Sequence, residues 1–287
     1  MGEAKRRRGQ EGGKFEVVER CLRNLGIDTS DFGFYDSEAF LRAESADASF
    51  LEQYAHWVAL RPRDPAYDTH VRDVVPRLTN LLAETLRADG MIGGCVAAVG
   101  MMTRVLDRLK VWSFGVHGCL TLEVKSQKLW RGFATCDDVD FEGGVQGHSW
   151  VVAPPYGIVD ASLILQRLAG DPIQRFVPAT LLCDTELKIV TPDVTDVVSA
   201  RRREQFARQD GRFDSQLHHR LEPRLRKFGQ SFPAVELTKG ELRLRYVPIA
   251  IRQTDVPLEQ INSEGRVGRP AINIWRETIA PAFGVAP

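Results

Sequence analysis

The sequence has no pair of cysteines placed to act together. Its five, Cys21, Cys95, Cys119, Cys136 and Cys183, are scattered and form no CxxC pair, which argues against a disulfide framework and against a thiolate zinc site. His218 and His219 adjoin one another, too close for the usual zinc spacing, so no metal is expected. Long apolar runs are missing too: nothing approaches the ~18–20 uninterrupted residues of a bilayer span. Residues 1–13 are basic with no apolar stretch behind them, unlike a cleaved signal. Arg6 stands where a myristoylation pattern wants a hydroxyl. Net charge is absent as well, since 38 Lys and Arg balance 38 Asp and Glu. No global field draws the chain to nucleic acid or to an anionic membrane. There is no internal repeat. These absences together predict reduced thiols in a cytoplasmic protein that does not associate with membranes.

What is present suffices for a core: 43% of 287 residues are hydrophobic and the charged share, 26%, is ordinary for a globular chain. Four regions are expected. Residues 1–14, with Lys5, Arg6, Arg7, Arg8 and several glycines, carry nothing to bury and read as a flexible basic arm. Residues 15–90 read as helical, with one stripe at Val17, Val18, Cys21, Leu22 and Leu25. A second lies at Val75, Leu78, Leu81, Leu82 and Leu86, where Pro76 suits a first turn and Gly90 a C-cap. Residues 91–195 form the candidate catalytic core, with strands expected at 111–114 and 119–124. Residues 196–287 read as an extension with helices and a strand. Within it Arg201, Arg202, Arg203, Arg208, Arg212, Arg220, Arg224, Arg226 and Lys227 outnumber Glu204, Asp210, Asp214 and Glu222, nine to four or a net +5. A solvated helix is the plain reading of that segment; contact with nucleic acid or an acidic protein is the sharper one.

Chemistry points to Cys95. The apolar spacing of Val96, Val99, Met102, Val105, Leu106 and Leu109 predicts a buried helix with Cys95 at its start. There the partial positive charge of a helix N-terminus favours the thiolate. Gly93 and Gly94 leave room for a substrate carbonyl and for amide donors to an oxyanion. Further on, GHSWVVAPPYGIVDASL reads as a hairpin turning at Pro154, Pro155 and Gly157. A turn centred at 154 sets His148 opposite Asp160; one centred at 155 leaves them diagonal neighbours on one face. A carboxylate that orients an imidazole beside a thiol is a Cys/His/Asp triad. Trp150, two residues past His148, shares its face and is a candidate wall of the substrate site. His117 and Cys119 also lie two apart, but no aspartate follows at hairpin distance. Asp137, Asp138, Asp140 and Glu142 read as an exposed acidic loop, with a cationic-substrate rim and a calcium site as alternatives.

Cysteine at a helix start, then His-x-Trp on a strand (His148, Trp150), then Val-Asp closing the next strand (Val159, Asp160), resembles the transglutaminase-like core of the papain-like superfamily over residues 90–165. The resemblance implies an α+β fold in which a nucleophile-bearing helix packs on an antiparallel sheet. It implies an enzyme needing no cofactor, acting on an amide or thioester of a protein or peptide as a peptidase, amidase or acyltransferase. Gly93 and Gly94 are loosely similar to the Gly-Gly of the arylamine N-acetyltransferases, but Ala161, Ser162 and Leu163 follow Asp160 where those enzymes continue with glycines. A non-catalytic scaffold presenting its basic segments to a partner is the reading from a different class.

Overall fold

The chain begins in a helix, and the computed structural model describes residues 2–136, 147–185, 187–212, 214–261 and 268–287. α1 runs Gly2–Asn24, so the segment expected to be a flexible arm is helical from its second residue. Phe15, Val18 and Leu22 dock on the body of the protein, and once that turn is fixed each upstream residue adds a hydrogen bond at little entropic cost. α2 (Glu38–Ala46) and α3 (Leu51–Leu60) follow. α4 spans Pro65–Ala88 and starts earlier than its apolar stripe suggests. The Asp64 side chain caps the Ala66 amide and Pro65 supplies a preset first turn. Pro76 therefore lies inside the helix, where the burial of Val71, Val74, Val75, Leu78, Leu82 and Leu86 offsets its missing hydrogen bond.

After α5 (Cys95–Arg108) come β1 (Phe114–Val124), β2 (Leu129–Phe133), β3 (His148–Ala153), β4 (Tyr156–Asp160), β5 (Leu181–Cys183) and β6 (Lys188–Ile189). Of the two short strands expected, 119–124 lies within β1, whereas only Phe114 of 111–114 does and residues 111–113 precede the strand. The exposed basic segment forms α7 (Ala200–Asp210), α8 (Leu217–Leu221) and α9 (Arg224–Ser231) after the single turn α6 (Val194–Val197). β7 (Val235–Lys239) and β8 (Leu242–Ile251) complete the strands, and α10 (Ala271–Ile274) leads through a π-helical turn into α11 (Ala280–Phe283).

The fold is α+β, with one antiparallel sheet in the order β5-β4-β3-β1-β8-β7-β6. β2 pairs with the second half of β1, on the edge whose first half pairs with β3. β8 lies in the middle of the sheet beside β1. The sheet is therefore not contained in 91–195, and two strands of the expected extension belong to it. Strand periodicity sorts the faces. Phe114, Val116, Leu120, Leu122, Trp150, Leu244 and Tyr246 pack under α1–α3. Val151 and Ala153 face α4, α5 and the C-terminal helices, and Cys119, Val247 and Ile249 face α6, α8 and α9. No helix among the described residues is long and apolar enough to cross a membrane.

Candidate active site

Cys95 is the first residue of α5, with Gly94 as N-cap and no side chain capping the helix. Both glycines are required by their surroundings. Gly93 has φ +66°, which a side chain would strain, and a β-carbon on Gly94 would lie 2.4 Å from Met91 Sδ. The Gly93 amide donates to the Leu165 carbonyl at 2.6 Å, which ties the turn before Cys95 to the chain that follows β4.

The β3–β4 hairpin carries the other two candidates, and a bulge puts them on one face. Ala153 pairs with Tyr156 across the Pro154–Pro155 turn, but Val151 pairs with Val159, so β4 holds one residue more than β3 between these pairs. Continuing that register places Asp160 opposite Trp150, with His148 two residues on along the same face. This is the diagonal arrangement expected from a turn centred at 155. Without the extra residue Asp160 would oppose Ser149 and point to the other face. Gly147, with φ +85°, turns the chain into β3 just ahead of His148; a β-carbon there would meet the Gly118 carbonyl at 2.4 Å.

His148 Nε2 lies 2.6 Å from Asp160 Oδ2 with both side chains fully buried. Asp160 Oδ1 accepts from the Ser162 amide at 2.9 Å and from its hydroxyl at 3.0 Å. Tyr246 Oη donates to Oδ2 at 2.9 Å. His148 Nδ1 has no hydrogen-bond partner and is the ring nitrogen left for Cys95, whose thiol His148 and the Ser149 amide push toward the thiolate. α5 packs on the opposite face of the sheet, against Val151 and Ala153. Cys95, His148 and Asp160 are brought together as the sequence suggests.

The electrostatics follow. Burial alone would raise the Cys95 pKa, but the hydrogen bond and charge of His148 with the Ser149 amide outweigh it, so the thiol lies below its ordinary value. Burial opposes the imidazolium, yet the charge and hydrogen bond of Asp160 raise His148 to about 10. Burial likewise opposes ionisation of Asp160, which His148, Ser162 and Tyr246 together hold below the usual carboxylate range. The arrangement favours a thiolate–imidazolium pair.

Trp150 does not face a substrate. It is 1% exposed, stacks on His148 with ring centroids 6.3 Å apart and meets Tyr246 edge-on at 5.0 Å, so it backs the imidazole from the interior. Cys119 is fully buried, and that burial pushes its thiol up to about 12. His117, lowered to about 4 by burial and by the charges of Arg252 and His148, bonds Ser149 Oγ at 3.0 Å. Ser162 and Tyr246 are the site residues that sequence reasoning missed. Ser162, two residues after Asp160, is the recurrent Asx-turn partner and was legible in principle; Tyr246 was not. Asp137, Asp138, Asp140 and Glu142 lie outside the described residues. Among the described residues no three His, Cys, Asp or Glu side chains cluster to hold a metal. No family model, no curated protein and no solved structure matches the chain.

Proposed function

We propose that this protein is a cysteine-dependent hydrolase or acyltransferase acting on an amide or thioester through Cys95, His148 and Asp160, on a transglutaminase-like variant of the papain-like fold. One observation carries the reading: a buried imidazole gives one ring nitrogen to a carboxylate and keeps the other for a thiol at a helix start. In this mechanism the Cys95 thiolate attacks the carbonyl carbon, and the oxyanion is met by the Cys95 amide at the start of α5. The C–N or C–S bond breaks as His148 protonates the leaving group. Water or an amine then attacks the thioester, giving its proton to His148, and the thiolate departs. The acceptor decides between hydrolysis and transfer. The basic helices suit an acidic partner protein or nucleic acid, because α7 buries no residue; Arg208, Arg220 and Arg224 also pair with neighbouring carboxylates.

The test is alkylation by iodoacetamide across pH, with the modified residue located by mass spectrometry, followed by a screen of amide and thioester substrates. Cys95 is expected to react below about pH 7, ahead of the exposed Cys21, and to lose that advantage in His148→Ala. Labelling of Cys95 no faster than Cys21 and indifferent to His148 would overturn the proposal and leave the binding-scaffold reading.

A further inference from the structure

The turn between α3 and α4 reads Leu60-Arg61-Pro62-Arg63-Asp64-Pro65. Pro62 pushes the residue before it out of helical geometry, so α3 stops with Arg61 at ψ 140°, and Pro65 presets the first turn of α4. The Arg61 side chain lies back over Trp57, four residues earlier on α3. Tyr67 from α4 and Trp112 ahead of β1 complete its surroundings. The guanidinium carbon is 5.4, 4.7 and 5.3 Å from the ring centroids of Trp57, Tyr67 and Trp112. Three rings attract a cation without neutralising it. Among the described residues no carboxylate forms an ion pair with Arg61, and its Nη1 is buried with no hydrogen-bond partner, whereas the neighbouring Arg63 has Asp68 at 3.8 Å. Burial outweighs what Tyr67, Tyr54 and Asp64 contribute to the charged form, and the Arg61 pKa falls below its ordinary value.

Arg61 is part of the lining of a cleft of about 720 Å³ between this turn and the tip of the β3–β4 hairpin. Pro62 and Pro65 line it from the turn, and Pro154, Pro155 and Tyr156 from the hairpin. Prolines are stiff, apolar and without an N–H, so these walls favour an apolar body. The volume is that of a small-molecule site, typically ~300–1,000 Å³. Neither Cys95, His148 nor Asp160 lines the cleft, and six residues of strand, ~20 Å of extended chain, separate His148 from Pro154. We propose that the cleft is a second binding site, for a small molecule carrying one carboxylate on an apolar body, with the carboxylate drawn to Arg61 and the body against the prolines and Tyr156. The charge balance selects a monoanion. With Asp68 beside Arg63, the lining is left with one uncompensated cation, and a phosphate dianion would place surplus negative charge near Asp68. A planar guanidinium also matches a planar carboxylate. The inference goes beyond the acyl-transfer reading and stands without it.

The experiment titrates the full chain calorimetrically with 4-phenylbutyrate, indole-3-butyrate and octanoate, with the primary amide of each, and with 4-phenylbutyl phosphate. Hydrogen exchange then locates whichever binds. At least one acid is expected to bind about tenfold or more tightly than its amide, as one charge interaction near a surface allows. It should slow exchange in residues 59–68 and 152–157 and leave the surroundings of Cys95 unchanged. About 0.5 M salt should narrow the difference between acid and amide. Arg61→Gln should abolish that difference and Arg63→Gln should keep most of it. If Arg61→Gln does not fold, the acid–amide comparison and the exchange map of the wild type decide by themselves. Absence of binding by all three acids below about 1 mM, equal binding of acid and amide, tighter binding of the phosphate, or protection around Cys95 in place of the cleft would each overturn the inference. None of these measurements uses the Cys95 thiol, so such a failure leaves the acyl-transfer reading untouched.

Discussion

At the scale of single residues, one nitrogen of His148 meets the Asp160 carboxylate and the other is left for Cys95, and under the proposed function their titration sets the working range. Cys95 falls below its usual pKa while His148 rises to about 10, so the ion pair spans the interval between them. Activity is expected to rise along a limb below that of an ordinary thiol and to fall through about pH 10 as the imidazolium proton is lost. In Asp160→Asn the charge that raises His148 is gone. The alkaline limb should move down by several pH units and the rate near pH 7 should drop by about a hundredfold or more, which a pH–rate profile reads directly. The same shifts govern stability. The contribution of His148, whose folded pKa is raised, is complete below its unfolded value near 6.5 and is lost as pH climbs through about 10. That of Asp160, whose folded pKa is lowered, is present above its unfolded value and lost as pH falls through the folded one. Tyr246→Phe removes one donor to a buried charge and should cost about 1.5–3 kcal/mol in a urea titration. No local signal in the sequence announces Tyr246, which stands 86 residues from its carboxylate partner. Ser162 stands two away.

At the scale of elements, the extra residue in β4 decides which face Asp160 takes. Deleting Gly157 should turn the carboxylate away and abolish the enhanced alkylation of Cys95. Gly157→Ala keeps the length and should preserve that reactivity, since its β-carbon meets only the Leu187 side chain at 2.7 Å. Circular dichroism of both variants separates a lost site from a lost fold. The hairpin was legible because its two residues lie twelve apart, within reach of period-two reasoning. α5 was legible because an apolar helical repeat follows directly on a Gly-Gly. α4 was misjudged at its start because Pro76 fits a first turn as well as Pro65 does, and only the Asp64 cap and the buried Val71 and Val74 decide between them. Pro76→Ala restores an N–H donor inside α4. It is expected to stabilise the protein by up to about 3 kcal/mol, measurable as a raised melting temperature.

At the scale of the whole molecule, the sheet joins parts of the chain that the sequence presents as separate. β1 runs between β3 on one side and β8 on the other, and pairings of that separation leave no local pattern, so the place of residues 235–251 could be read only from the structure. A fragment ending near residue 195 would bare a long edge of β1 and lack Tyr246. It is expected to give no cooperative unfolding transition and little amide protection in hydrogen exchange.

The central seat of β8 also gives the protein a clock. During synthesis the thiol, the imidazole and the aspartate all emerge before the strand that closes the sheet around them, and β1 waits with one edge open until residue 251 has left the ribosome. The carboxylate lacks its tyrosine donor for that interval. Translation of the later third of the chain therefore sets the moment at which Cys95, His148 and Asp160 gain their complete surroundings.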